Sequence, residues 1–189
     1  MSATKLLVAF LFFVLLHSQA QAAASLEKCR TTLEKFRKLG NVPEMMAESY
    51  GYVVLPTIGK GGIGIGAAGG TGCVFAGGKQ TGKVSMGQVT IGWQLGGQAY
   101  SQIILFRTAD IYHDFIRGPF EFGADATAVA LTYGAQAGAS TKGASASAGE
   151  TLAKGMWKRG MAVFTLAKGG LMYEASIGGQ KFNFTPLEN

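Results

Sequence analysis

The chain has 189 residues, of which 48% are hydrophobic, enough for one domain with its own core. Its 29 glycines are about twice the roughly 7% share of an average domain; they follow no three-residue period, which excludes collagen and points instead to tight turns and closely approaching strands. The formal charge of +6 makes anionic partners more natural than cationic ones.

At the N-terminus, Lys5 precedes the apolar run Leu6 to Leu16 and the small-residue stretch SQAQAAAS. This is the pattern of an export signal, and Ala20-Gln21-Ala22 places the expected cleavage after Ala22. The run is shorter than the roughly 20 residues a membrane span needs. Leu26-Glu27-Lys28 before Cys29 is no lipobox. The expectation is a soluble exported protein, periplasmic or secreted, with one domain over residues 23–189; an uncleaved N-terminal anchor is the alternative. Cleavage removes Lys5 and lowers the charge by one. Cys29 and Cys73 then remain. In an oxidising compartment they could close a loop of about 45 residues, worth about 3–4 kcal/mol through lost chain entropy; two buried free thiols are the other reading.

Leu26, Cys29, Leu33, Phe36 and Leu39 recur at helical spacing, with Glu27, Lys28, Arg30, Glu34, Lys35, Arg37 and Lys38 on the other face. That is an amphipathic helix ending at Gly40. Its apolar stripe either packs on the core or inserts into an anionic membrane. Pro43 suits the first turn of a second short helix over EMMAES. YVVLP reads as a buried strand stopped by Pro56. Glycine-punctuated strands follow, with KQTGK as a basic hairpin turn between them. In GGQAYSQIILF, Ala99, Ser101, Ile103 and Leu105 face one way, and Tyr100, Gln102, Ile104 and Phe106 the other.

Thr108 caps a helix to about Arg117, with Ile111, Phe115 and Ile116 apolar. FEFGADATAVALTYGAQAGAS alternates again. The Gly/Ala/Ser-rich segment 134–150 reads as a mobile loop. MAVFTLA, LMYEASI and QKFNF, separated by KGG and GG, read as a three-stranded antiparallel meander. Strands outnumber helices and no βαβ rhythm appears. The fold class is therefore α+β, mainly an antiparallel curved sheet or barrel with an N-terminal amphipathic helix and two or three short helices.

The chemical motifs fail on context. Gly64 to Gly69 spells G-x-G-x-x-G, but that fingerprint needs a following helix and an acid about 20 residues on. The next acid after Glu48 is Asp110. Gly77 to Val84 nearly spells a phosphate loop, but Val84 stands where a Ser or Thr must meet magnesium. His113, once His17 is removed, is the only histidine; it sits between Asp110 and Asp114 on an exposed helix, more like a surface side chain than a general base. Asp125, on an apolar strand, reads as a structural hydrogen bond or ion pair. No catalytic residue, metal site or cofactor is expected, and no nucleic-acid motif is present.

From Ser49 to Ala109 there is no Asp or Glu, while Lys60, Lys79, Lys83 and Arg107 fall in the span. Either a strand-rich core excludes carboxylates there, or the region faces an anionic partner.

AESYGYVVLPTIGKGGIGIGAAGGTG, GQVTIGWQLGGQAYSQIILF, FEFGADATAVA and KGGLMYEASIGGQKF come in the order of the SYLF domain family, which the chain resembles from Leu26 to Phe184. VSMGQVTIG stands where many members carry a Trp-Ser-x-Pro-like block, and Trp93 comes later. The resemblance implies a non-catalytic domain that binds phosphoinositides or other anionic lipids, and in some members actin. It implicates the Leu26–Leu39 helix and Lys60. The expected module is a monomer that binds anionic lipid or a membrane surface and no nucleic acid. Lys28, Arg30, Arg37, Lys38 and Lys60 would supply charge and the apolar helix face insertion. The alternative is a structural envelope protein with a protein partner.

Overall fold

The computed structural model of the chain describes residues 21–92, 97–123, 130–133, 157–168 and 177–187. The apolar run Leu6 to Leu16, Trp93, Asp125, the 134–150 segment and most of LMYEASI lie outside the described residues.

A helix, α1, occupies 21–36 and a turn follows through 41. Its stripe of Cys29, Leu33 and Phe36, continued by Leu39, is buried. It packs against Val54, Cys73, Ile103, Leu105 and Phe164. The stripe is therefore core, and the expected role of this face in membrane insertion is corrected: a face at 0–5% exposure has no apolar area left to give to a bilayer. The short helix α2, Val42–Ala47, begins with a proline in its first turn. It adds Val42 and Met45 to the same cluster.

Strand β1, Gly51–Ala76, is 26 residues long. Laid straight it would run about 85 Å, several times the radius of a domain this size. It folds back near Gly62 instead. The Gly77 N–H donates to the Tyr50 carbonyl at 3.3 Å. The Tyr52 and Phe75 rings stack with centroids 5.0 Å apart. Gly72 lies so close to the backbone of Val54 that an added Cβ would collide with its carbonyl. Only glycine lets the two halves meet this tightly.

The N-terminal half of β1 pairs with β3, Gln98–Phe106, and the other half with β2, Lys79–Gly92. The chain continues through helix α3, Ala109–Ile116, then β4, Phe120–Glu121, β5, Ala130–Tyr133, β6, Met161–Ala167, and β7, Lys181–Pro186. The sheet order is β4-β7-β2-β1-β3-β6-β5. Its pairs are antiparallel except β5 with β6, which is parallel. The architecture is α+β, a curled half-barrel with a few short helices. α1 covers one face. On the other, Val53, Leu55, Ile104, Phe106 and Phe182 pack with Tyr112 and Phe115 of α3.

Three local expectations change. β1 runs through Pro56, because a residue without an N–H is accommodated in the register shift between Leu55 and Ile58. The first hairpin turns at Gly77–Gly78, with φ of +56° and +76°, as the tightest hairpins require; KQTGK instead opens β2. The C-terminal runs do not form a meander, since β6 and β7 are separated by β2, β1 and β3. β6 is buried on both faces at Ala162, Val163, Phe164 and Thr165, which suits a place beside the equally buried β3. β7 buries Phe182 and exposes Lys181 and Asn183.

Candidate functional site

Neither glycine motif sits before a helix. Gly64–Gly69 lies inside β1, and Gly77–Val84 is a hairpin turn followed by β2. No helix N-terminus stands ready for a phosphate at either place.

The basic residues of α1 divide between its two flanks. Lys28 and Lys35 are seven residues, two turns, apart and share one flank. Arg30 and Arg37 share the opposite flank in the same way. Arg37 Nη1 meets Glu34 Oε1 at 2.9 Å, with both side chains about half exposed, so the pair contributes little stability. On this side burial raises the Tyr52 phenol, with Arg37 opposing and Glu34 adding to the rise. Lys38, in the turn after α1, is exposed. Lys60 is half-buried; strand alternation keeps it with Ile58, on the face away from α1. The five cations singled out from sequence are thus not gathered into one patch.

The flank of Lys28 and Lys35 meets a third lysine. Lys168 follows β6, where its N–H donates to the Ala99 carbonyl at 2.9 Å. Its Nζ donates to Thr57 Oγ1 at 2.6 Å. Burial first, then the Lys35 and Lys28 ammoniums, hold the Lys168 amine below the ordinary lysine value. Beyond burial, the Lys35 and Lys28 ammoniums disfavour the charge on Lys168, and an anion bound there would relieve that repulsion. Sequence reading missed Lys35 and Lys168. The i, i+7 spacing of Lys28 and Lys35 was a usable signal for the first. Nothing local announced the second, which arrives from the far end of the chain.

Cys29 and Cys73 are bonded, with Sγ–Sγ 2.05 Å, and fasten α1 to β1 across a sequence separation of 44. The opposite face holds a buried polar layer that is satisfied internally. Gln102 and Gln180 exchange amide hydrogen bonds of 2.9 and 3.1 Å, and Gln180 Nε2 also donates to Tyr100 Oη at 3.3 Å. Burial pushes the Tyr100 phenol up to about 12, with the Gln180 bond opposing.

His113 lines an open depression of about 580 Å³ with Asp110, Asp114, Ile116 and Arg117. All five come from α3 and the residue that ends it. Asp114 is engaged by Arg117 at 3.3 Å, and the lining offers no Ser, Thr, Cys or Lys. Among the described residues, no group of three or more His, Cys, Asp or Glu is arranged to hold a metal.

The family model Ysc84, described as Las17-binding protein actin regulator, matches residues 87–189, more than half of the chain. The chain belongs to the SYLF domain family. SYLF domains are a binding family associated with lipid and actin. The matched part of this SYLF chain starts within β2 and holds β3, α3, β6, β7 and Lys168; α1 and β1 precede it. No match was found among curated proteins.

Proposed function

We propose that this SYLF chain is a non-catalytic exported module that binds anionic phospholipid headgroups at a membrane surface. The observation that carries the reading is that Lys168, hydrogen-bonded to Thr57, lies within electrostatic reach of Lys28 and Lys35 on the same side of the sheet. Like charges held together by the fold favour an anionic ligand. Arg30 lies on the other flank of α1, and Arg37 beside it is partly neutralised by Glu34. Each lysine near an anionic surface is worth about 1 kcal/mol, so binding depends on salt.

The test is sedimentation of the purified protein with phosphatidylglycerol vesicles and with phosphatidylcholine vesicles, at low and high salt. Binding to the anionic vesicles that fades with salt is expected. Replacing Lys28, Lys35 and Lys168 together with Gln should weaken it by about two orders of magnitude, from about 1 kcal/mol per lysine. Equal binding at both salts, or none, removes the reading.

A second reading, an envelope protein with a protein partner, is favoured by the exposure of Ile65 and Val89. An affinity pull-down beside the vesicle assay separates the two.

A further inference from the structure

We propose that the outer end of the β1–β2 ladder is a membrane-insertion element, in which Ile65 and Val89 enter the acyl layer of an anionic bilayer while lysines behind them stay at headgroup level. This rests on the lipid reading above and names the part of the molecule that would go in.

Ile65 and Val89 are 71% and 74% exposed, the highest values among the large hydrophobic side chains of the described residues. The ladder sets Ile65 opposite Ile91 and Ala67 opposite Val89. Ile65 and Val89 therefore share a face as diagonal neighbours, about 7–8 Å apart in such a ladder. Followed along β1, that face passes exposed Ala67, Gly69 and Thr71 and reaches Cys73 and Phe75, which α1 covers. The aliphatic pair and α1 thus lie on the same side of the sheet. Lys83, exposed and opposite Cys73, points the same way. So does Lys168, which shares strand parity with Leu166, a residue packed against the α1 cluster. Lys28 and Lys35 complete the group of cations. The β1 and β2 strands contribute no carboxylate, because no acid falls between Ser49 and Ala109. Lys181, farther across on β7, is paired with Glu121 at 3.5 Å.

Charge complementarity commits the face to an anionic bilayer. Its size agrees. A stable protein interface buries about 1,200–2,000 Å², far more than two aliphatic side chains supply, whereas an interfacial wedge enters only about 5–10 Å. With the helix stripe buried, this face of the sheet is where exposed branched aliphatics and lysines point the same way.

The test uses the purified protein and phosphatidylglycerol-containing vesicles. Both side chains are exposed, so Ile65→Ser with Val89→Ser leaves the core intact. That pair should weaken vesicle binding about tenfold or more, from the apolar area no longer removed from water, and should abolish the part that survives high salt. In Ile65→Trp, emission in excess of the wild-type signal should shift to the blue on vesicles and be quenched by brominated acyl chains. If vesicles pellet the Ile65→Trp protein without that shift or quenching, the insertion is wrong and the lipid reading stands. If nothing pellets, both fall. A wild-type dimer that the serine pair dissolves in sedimentation equilibrium makes the face a self-interface and overturns the proposal.

Discussion

Lys168 holds a charge where burial, and after it the neighbouring lysines, disfavour it, and this gives its pH dependence a sign. Its pKa in the folded chain is below the ordinary lysine value. The destabilisation is therefore present at neutral pH and disappears as pH rises from the folded value to the ordinary one. Lys168→Gln should not lower the melting temperature at pH 7, while vesicle affinity falls about fivefold, the equivalent of about 1 kcal/mol. A clear loss of stability in that variant would mean the Thr57 bond outweighs the repulsion. Tyr100 has the opposite sign. Its pKa, about 12, lies above the ordinary phenol value. Its stabilisation is complete below about 10 and is lost as pH climbs through about 12. Absorbance at 295 nm should show a late tyrosine step to which Tyr100 contributes. Tyr100→Phe should remove its share of that step at a cost of about 1 kcal/mol, since Gln180 keeps Gln102 as partner. At this scale the sequence was readable where periodicity speaks. Leu26, Cys29, Leu33 and Phe36 form the stripe they spell. It was silent on Lys168, whose meaning comes from residues more than a hundred positions away.

The central element is β1, doubled back on itself. Gly72→Ala would place a methyl against the Val54 carbonyl and should cost about 1–3 kcal/mol, the range for overpacking. Gly59→Ala meets open space and should be neutral or stabilise by about 0.4–1 kcal/mol through the unfolded chain. Urea denaturation of the two variants makes the contrast, and equal effects would refute the close approach. Most strand runs of this region were legible, KQTGK and the passage through Pro56 apart, and so were the two faces of β3. The pairing partners were not. KGG and GG announce turns but do not say which strands lie together, and β6 left its sequence neighbour for the doubly buried edge of β3. Pro56 misled because a proline that ends one strand can sit in the bulge of another.

For the molecule as a whole, the class was legible because helices are few and short and the strand runs are many; the half-barrel closure was not, because curl arises from contacts between distant strands. The bond between Cys29 and Cys73 ties the helical layer to the sheet. Reduction, or Cys29→Ser with Cys73→Ser, should remove about 3–4 kcal/mol. At about 2–4 °C per kcal/mol for a chain of this size, calorimetry should show a fall of roughly 6–16 °C, and an unchanged transition would make the bond irrelevant to stability.

The packing of α1 against β6 also sets a schedule for biosynthesis. Leu33 and Phe36 are made well before Ala162 and Phe164, which help to shelter them. At roughly 5–20 residues per second, the nascent helix waits on the order of ten seconds with a greasy side in water. A cell making this chain must shield it during that interval, and a message truncated before β6 would leave a product whose first helix has no complete resting place.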